Sequence, residues 1–370
     1  MEDNKRYWVW LNSVPGIGAV KSKKLLEYFE DPHNVWDAKE NELRTLDFLT
    51  KTDIINLIDK EYRENVERHL YNIYKNNIEI ISIKDEVYPY YLKNIYDPPV
   101  ILFAKGSINK EEKYLAIVGS RKATSYGLKM AQTISSELAK YGITVVSGMA
   151  RGIDTLAHRG ALNANGRTVA VLGCGVDIVY PIENSKLKEA IIENGACMSE
   201  YLPGTPPNAN NFPARNRIIS GMALGVVVIE AGERSGSLIT ANFALDQGRE
   251  VFALPGNVNS INSAGTNKLI KEGAKMVTGI DDILEEINMS FNEEKVKSFF
   301  IDKLKDDRLF KGLDEDERKV ALCLKTEPLH IDIIAKQTGY SIQVVNSIIV
   351  MLELKGVVEQ IPGKIFRLKF

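Results

Sequence analysis

The sequence has few cysteines, no long apolar run and no excess of charge of one sign. Its three cysteines, Cys174, Cys197 and Cys323, are far apart and odd in number. That pattern excludes a disulfide framework and a cysteine metal cluster, and it is typical of a reducing cytosol. No segment approaches the roughly 20 apolar residues of a membrane span, and the first residues lack the apolar run of a signal peptide. We therefore expect a soluble, cytoplasmic protein.

The overall charge is close to neutral. A net charge of −2, from 47 basic and 49 acidic residues, provides no global positive field, so a nucleic-acid site would have to be a local patch. The chain has 370 residues, of which 44% are hydrophobic and 26% are charged. These values are typical of a globular protein of two or three domains.

The chain divides into four segments by pattern. Residues 1–77 show the helical spacing of apolar residues. In residues 78–288, short β-branched runs alternate with amphipathic helices, which predicts βαβ units and a parallel sheet buried on both faces. Residues 289–312 are polar and charged, and we predict a linker there. Residues 313–370 contain three short helical patterns and two β-prone runs around a Pro-Gly turn, which predicts a winged helix.

The N-terminal segment contains a glycine turn, Val14-Pro15-Gly16-Ile17-Gly18, between two helical patterns. This is a helix-hairpin-helix pattern, in which the turn exposes backbone N–H groups at the start of the second helix. One phosphate can bind at such a place. An equally good interpretation is a glycine turn between packed helices that binds no ligand and serves as a scaffold or protein contact.

Four predicted strands of the central segment end in small or polar residues. Because ligands of an open parallel sheet bind beyond the carboxyl ends of its strands, we expect these loops to meet at one edge. Hydroxyls, backbone N–H groups and guanidiniums hold phosphate, so the predicted chemistry is anion binding. The residues are Gly119, Ser120, Arg121 and the helix cap Thr124 in the first loop, Ser147 and Gly148 in the second, Gly173 and Gly175 in the third, and Ser235, Gly236 and Ser237 in the fourth.

A dinucleotide site and a hydrolytic triad fit the residues less well. The stretch "VLGCGVD" contains Gly-x-Gly but lacks the third glycine and the following helix that dinucleotide binding requires. Ser147, Asp154 and His158 permit a triad, yet no Gly-x-Ser-x-Gly elbow is present. The alternative is that Asp154 caps a helix and that His158, one turn later, hydrogen-bonds to it.

An aromatic residue and two arginines stand together in "NNFPARNRIISG", residues 210–221. We expect Pro213 to occupy the first position of a helix, which would aim Arg215 at a phosphate and leave Phe212 outside as a platform for a base. One exposed aromatic contributes about 1–3 kcal/mol by stacking. The alternatives are a packed loop anchor for Phe212 and, for Arg217, an ion pair inside the domain, with Glu230 as its partner.

Five motifs, in order between about residues 80 and 280, resemble the DNA-processing protein A family, also called Smf. They are "IVGSRKATSYG", "VSGMARGIDTLAH", "AVLGCGVDIVYPIEN", "FPARNRIISG" and "EAGERSGSLITANFALDQGREVFALPG". The resemblance implies an α/β fold: an extended Rossmann-like, mostly parallel sheet with an N-terminal helix-hairpin-helix (SAM-like) domain and a C-terminal winged-helix-like domain.

The same resemblance implies a function in natural transformation and recombination. The protein would bind single-stranded DNA, protect incoming strands, help to load the RecA recombinase and dimerise through the Rossmann-like domain, with no catalysis and no cofactor. The DNA-binding positions that the resemblance implies are Ser120, Arg121, Gly148, Arg151, Phe212, Arg215 and Asn216, with Lys186 as a further basic contributor. We also include Arg217 among the candidate DNA-binding residues.

Two other function classes stay open. LOG-type phosphoribohydrolases bind a nucleotide phosphate at a similar sheet edge, but Ile239 and Thr240 stand here where that family has its paired glutamates. A protein-interaction module centred on the winged helix is the other alternative. Residues 312–370 contain eight acidic and eight basic side chains and so lack the basic footprint of a DNA-reading domain.

Overall fold

The computed structural model describes residues 4–289, 313–324, 328–361 and 363–368, so nearly all of the predicted linker, residues 290–312, lies outside the described residues. The chain forms two compact units, Met1–Ser290 and Phe291–Phe370. Among the helices of the described ranges, none combines the length and the apolar character that crossing a membrane requires.

Six helices form the N-terminal part of the first unit. They are α1 (Lys5–Ser13), α2 (Ala19–Phe29), α3 (Pro32–Asp37), α4 (Glu40–Leu43), α5 (Lys51–Ile58) and α6 (Lys60–Lys75). Side chains cap several of them, as in α5, where Thr50 and Asp53 form a capping box that satisfies backbone N–H groups of the first turn.

The predicted glycine turn joins α1 to α2. Gly16 has a φ of +85°, which favours glycine, and a Cβ on it would lie 2.5 Å from Oδ1 of Asp53. The Asp53 carboxylate is buried and forms an ion pair of 2.5 Å with Lys21. This ion pair packs against the turn, which agrees with the interpretation of the turn as a packed connection between helices.

A nine-stranded sheet forms the centre of the unit. Its strands are β1 (Glu79–Ser82), β2 (Ile101–Gly106), β3 (Tyr114–Val118), β4 (Thr144–Ser147), β5 (Thr168–Val171), β6 (Ala196–Ser199), β7 (Gly225–Val228), β8 (Glu250–Ala253) and β9 (Lys275–Met276). The spatial order is β1-β2-β6-β5-β4-β3-β7-β8-β9. Strands from β6 to β9 in this order pair in parallel, whereas β1–β2 and β2–β6 pair antiparallel.

Eight helices follow or connect these strands. They are α7 (Tyr90–Lys93), α8 (Ser125–Lys140), α9 (Ile153–Asn163), α10 (Ser185–Asn194), α11 (Asn211–Met222), α12 (Gly236–Asp246), α13 (Ala264–Lys271) and α14 (Ile280–Met289). The mostly parallel sheet with helices is the predicted fold, with two differences. The β6 and β9 strands were not predicted, and β2 runs antiparallel to both of its neighbours, β1 and β6, instead of in the expected parallel direction.

Two hydrophobic clusters cover the sheet, and alternate residues of a strand point to opposite clusters. In β2, Ile101 and Phe103 belong to the cluster that includes the N-terminal helices, whereas Leu102 and Ala104 belong to the other cluster. The continuous apolar runs of the central strands are therefore explained by burial on both faces.

The second unit is a winged helix. It consists of α15 (Glu315–Cys323), β10 (Leu329–His330), α16 (Ile331–Thr338), α17 (Ile342–Leu354), β11 (Val358–Ile361) and β12 (Ile365–Leu368). The three helices and the β11–β12 hairpin were predicted, and the short β10, which pairs with β12, was not. Pro362 of the predicted Pro-Gly turn lies outside the described residues.

Candidate functional site

A cleft of about 1170 Å³ opens at the carboxyl ends of β3 and β7. From β3 the chain proceeds to β4, β5 and β6 on one side, and it returns at β7 on the other side of β3. Such a reversal of strand order is the place where open α/β sheets bind their ligands, because the flanking loops separate there. The predicted edge of the sheet therefore contains a cavity.

Six pieces of chain line the cleft. They are the β3–α8 loop (residues 119–124), the β4–α9 loop (148–152) with the start of α9, the end of the β6–α11 loop (207–210), α11 as far as Ile219, the β7–α12 loop (229–235) with the start of α12, and the β8–α13 loop (254–263). Tyr180, from the segment after β5, lies at its side. Of the predicted residues, Gly119, Ser120, Arg121, Phe212, Arg215, Asn216, Ser235, Gly236 and Ser237 line the cleft.

The N-terminus of α8 is occupied by a carboxylate of the protein itself. Thr124 caps this helix, and its backbone N–H and its hydroxyl donate to the two carboxylate oxygens of Glu230 over 2.8 and 2.5 Å. Glu230 is buried, and a Cβ on Gly127 would collide with it. In dinucleotide-binding folds this first helix N-terminus receives the pyrophosphate, so Glu230 fills that position here. The predicted residue Thr124 acts as a cap within this arrangement.

The N-terminus of α12 is open by contrast. Ser235 caps the helix, its Oγ lies 2.7 Å from Oγ of Ser237, and no acidic residue stands in the first turn. Gly236 is exposed, and a Cβ on it would meet nothing within 4 Å. Asn216 donates from Nδ2 to Gly236 O over 3.4 Å. Backbone N–H groups, two hydroxyls and the helix dipole thus point into the cleft, a combination suited to a phosphate.

Arg121 is exposed at the tip of the β3–α8 loop. The loop is anchored because the N–H of Ser120 donates to Glu230 O over 2.7 Å and Ser120 O accepts from the N–H of Ile153. The guanidinium carbon of Arg121 lies 5.7 Å from the centre of the Phe212 ring. A cation and an aromatic face are therefore adjacent on the wall of the cleft.

Phe212 lies in the first turn of α11, which begins at Asn211 rather than at the predicted Pro213. Pro213 is tolerated there because the first four N–H groups of a helix have no partner within it. The ring is half-buried, and its Cδ1 would lie 2.9 Å from a Cβ on Gly173. Its centre is 5.4 Å from that of Tyr180, whose side chain is exposed. The partial burial of the ring agrees with the packed-anchor alternative, and its use as a platform for a base stays a prediction.

Arg215 is buried beneath the cleft, with a relative exposure of 3%. Its Nη1 donates to Gly148 O over 2.9 Å and also to Val171 O, so the guanidinium joins the ends of β4 and β5. Burial lowers the pKa of Arg215 to about 10, and the neighbouring Asp154 opposes that shift. The residue therefore remains charged near neutral pH, with Nη1 bonded to the protein backbone and Nε donating to Asn216 Oδ1 over 3.3 Å.

Ser147, Asp154 and His158 stabilise the fold and are not arranged as a catalytic triad. Ser147 is fully buried and donates from Oγ to Ile117 O over 2.6 Å. The expected hydrogen bond of His158 to Asp154 is wrong, since Nδ1 of His158 lies 2.7 Å from Oγ1 of Thr168 on β5. Burial, with a smaller contribution from Arg215, lowers the pKa of His158 to about 3, so the imidazole is neutral at pH 7. These groups form no proton-transfer chain.

Three other predicted cations have different positions. Arg217 is buried in ion pairs with Asp97 (3.0 Å) and Glu200 (2.6 Å), so the expected internal ion pair exists but the expected partner Glu230 was wrong. Arg151 is exposed, forms a 2.5 Å ion pair with Glu183 and lines a small hollow beside Phe212. Lys186 is exposed on α10 and does not line the cleft.

Among the cleft residues that sequence reasoning missed, three have side chains suited to a phosphate or a base: Tyr180, Lys122 and Arg234. The two cations lie next to predicted residues within the same loops, and Tyr180 belongs to the quoted "VYPIEN" turn, so the signal was the loop itself. Four basic and two acidic side chains line the cleft. This excess of positive charge is the local patch that a nucleic-acid site needs on a chain with almost no net charge. Across the described ranges, no group of three or more His, Cys, Asp or Glu residues could hold a metal ion.

Comparisons with known proteins agree in one family. The model of DNA recombination-mediator protein A matches residues 79–288, and that of the DprA winged helix domain matches residues 307–364. Protein Smf of Synechocystis is 33% identical over 96% of this chain and 97% of its own length. DNA processing protein DprA of Streptococcus pneumoniae is 47% identical over 55% of this chain and 73% of its own length.

Two solved structures are also similar. The X-ray structure of the Streptococcus pneumoniae protein has a TM-score of 0.67 and 37% identity, and it covers 76% of this chain and 97% of that one. A structure of DNA processing protein A from Helicobacter pylori, which concerns the single-stranded DNA binding mode of that protein, has a TM-score of 0.52 and 29% identity. It covers 58% of this chain and 98% of that one.

Proposed function

Because this chain belongs to the DNA recombination-mediator protein A (DprA/Smf) family, a family of DNA-processing proteins, we propose that it binds single-stranded DNA in the cleft between β3 and β7. The observation that carries the proposal is the contact of Arg121 with the half-buried ring of Phe212 beside the open N-terminus of α12. Binding of single strands by the Helicobacter pylori relative supports it.

The cleft offers separate places for phosphates and bases. Arg121, Lys122 and Arg234 supply positive charge, and the α12 N-terminus supplies oriented N–H groups, so consecutive phosphates have several acceptable positions. Phe212 and Tyr180 supply ring surface on which any base can stack. Neither kind of contact reads base identity, so binding is tolerant of sequence.

The position of the rings favours a single strand over a duplex. A base must leave its stack to lie against Phe212, which is in the wall of a cleft. In a duplex this step requires unpairing and unstacking, at a cost of a few kcal/mol, whereas a single strand has no pairing to lose. We expect a clear preference for single strands.

The test is binding of a fluorescent oligonucleotide, single- and double-stranded, over a salt series. We expect Arg121→Ala to weaken binding and to reduce the salt slope by about 0.7, the value for one lost phosphate contact on a single strand. We expect Phe212→Ala to weaken binding by about 1–3 kcal/mol with an unchanged slope. Arg159→Ala, which removes an exposed arginine of α9 away from the cleft, is the matched control. Equal affinity for duplex, or no effect of either cleft variant, would refute the proposal.

We further propose that the bound strand is protected and passed to the RecA recombinase, and that the protein acts as a homodimer through its sheet domain. Membership of a recombination-mediator family supports this role. Nuclease digestion of bound strands, the rate of RecA filament formation on them and light scattering of the purified protein test the three parts separately. If bound strands are protected but RecA filaments form at an unchanged rate, the proposal of DNA binding stands and the proposed mediator role is refuted.

A nucleotide-hydrolysing enzyme is the second candidate for the same cleft, since its positive patch would also hold a nucleoside monophosphate. Ile239 and Thr240 line the cleft where a phosphoribohydrolase has its paired glutamates, so these two positions supply no carboxylate for cleavage of the glycosidic bond. Release of free base from a nucleoside monophosphate by the purified protein would favour this enzyme over the binding protein.

The winged helix is better suited to a protein partner than to the DNA groove. Its third helix, α17, exposes the apolar side chains Val344, Val350, Met351 and Leu354. No cation lies within Ile342–Leu354, whereas a helix that reads DNA requires cations to neutralise phosphates. We propose that this unit contributes protein contacts rather than strand binding.

A further inference from the structure

Ile261 is a large apolar side chain that stands open to solvent within the wall of the cleft. It lies in the β8–α13 loop, lines the cleft and is 83% exposed. Lys122 and Arg234, from the two neighbouring loops, line the same cavity. An exposed aliphatic residue on a surface is common. An exposed aliphatic side chain that lines a cleft together with cations is in a position to contact a ligand bound there.

The backbone around Ile261 is held in place. Asn262 donates from Nδ2 to Lys122 O over 3.1 Å, and the N–H of Gly265 donates to Ala231 O over 2.8 Å. The loop is also closed internally, since the N–H of Ser263 donates to Ser260 O. Hydrogen bonds therefore fix the loop to both strand-end loops of the switch point, and Ile261 projects from a defined position.

Sheet order separates Ile261 from the aromatic pair. Tyr180 follows β5 and Ile261 follows β8, and four strand spacings (β5-β4-β3-β7-β8) lie between these strands. At roughly 4.8 Å per spacing, the strand ends are about 19 Å apart. With phosphates about 3.4 Å apart along the axis of a stacked strand, and farther apart in an extended one, a ligand that reaches from one of these strand ends to the other needs several nucleotides. The cleft, at about 1170 Å³, also exceeds the roughly 300–1,000 Å³ of small-ligand sites.

We infer that Ile261 is a second base-contacting surface, and that the ligand of this cleft is a strand of about four nucleotides or more rather than a mononucleotide. One base packs against Phe212 and Tyr180, and a base farther along the strand packs against Ile261. The phosphates between them lie along Arg121, Lys122 and Arg234. This inference rests on the proposed binding of single-stranded DNA and adds the length and the path of the strand.

The experiment measures the dissociation constants of oligothymidylates of about three and about eight nucleotides. The proteins are the wild type, Ile261→Ser, Ile261→Phe and Val258→Ser. Val258 is the matched control, because it lies in the same loop, is 86% exposed and does not line the cleft. Both substituted side chains are exposed, and melting curves will verify that the three variants remain folded.

We expect Ile261→Ser to weaken binding of the longer strand about fivefold or more while the short strand binds as before. Ile261→Phe should bind the longer strand at least as tightly as the wild type, and Val258→Ser should not differ from it. Equal binding of the longer strand by Ile261→Ser and wild type, with Phe212→Ala still weakened, would overturn this inference alone. Failure of the wild type to bind either strand would overturn the proposed function as well.

Discussion

The carboxylate of Glu230 occupies the N-terminus of α8, and replacing it tests whether it stabilises the helix and keeps other anions from that position. Glu230 accepts from the N–H and the hydroxyl of Thr124 and lies at the positive end of a 16-residue helix. Glu230→Gln removes the charge and turns an NH₂ group toward one of the two donors. A hydrogen bond to a charged group contributes about 1.5–3 kcal/mol, and a charge at a helix end about 0.3–1 kcal/mol.

We therefore expect Glu230→Gln to lower the free energy of unfolding of the first unit by about 2–3 kcal/mol. Urea unfolding followed by circular dichroism measures this change. Glu233→Gln is the matched control, because Glu233 is an exposed acid of the same loop, and its substitution should change stability by less than about 0.5 kcal/mol. An equal effect of the two substitutions would refute the assigned role of Glu230.

The same reasoning predicts a gain of anion binding when the site is opened. Glu230→Ala removes the carboxylate and leaves the N–H groups of α8 free for an external anion. Sulfate at about five times its dissociation constant should then stabilise the variant by about 1 kcal/mol more than it stabilises the wild type. Because sulfate strengthens folding in general, the comparison is made at equal sulfate for both proteins. An identical sulfate response would show that α8 does not bind anions once Glu230 is gone.

Three other predictions concern stability and domain roles. Arg217→Met should lower the free energy of unfolding by about 3–5 kcal/mol, since it leaves Asp97 and the buried Glu200 without their cation, while the salt slope of DNA binding stays unchanged. Because burial lowers the pKa of His158 to about 3, the unfolded chain binds a proton below about pH 6.5 and the folded chain does not. The His158 contribution to stability is thus lost as pH falls, by up to about 1.4 kcal/mol per pH unit, and His158→Asn should show a flatter dependence between about pH 6.5 and 5 in urea titrations. Leu354→Glu in α17 should leave oligonucleotide affinity as it is, and a loss of affinity would place DNA on the winged helix.

The pattern of strands and helices was predictable where the side chains are typical of the element. Runs of Val and Ile marked β3, β4, β5, β7 and β8. The β6 strand has the sequence Ala-Cys-Met-Ser, whose small and unbranched residues carry no strand signal. The reversed direction of β2 also has no signature in single residues, because an apolar run is the same for either direction of pairing.

The sequence indicated which loops form the candidate site, but it did not indicate which side chains of these loops face the cleft. Small residues after each strand indicated which loops meet, since that follows from the topology of a parallel sheet. Whether a given arginine faces the cleft or the interior depends on neighbours distant in sequence. Arg215 bonds to Gly148 and Val171, and Arg217 pairs with Asp97 and Glu200. Spacing alone could not assign these partners.

The shared hydrophobic cluster of the N-terminal helices and one sheet face has a consequence for genetics. Trp10 and Leu57 belong to the same cluster as Phe103, Leu172 and Cys197. Removal of residues 1–77 would therefore expose the apolar underside of several strands to water. A truncated gene product would be prone to aggregate, so loss of DNA binding in such a mutant would report on solubility as much as on the helices.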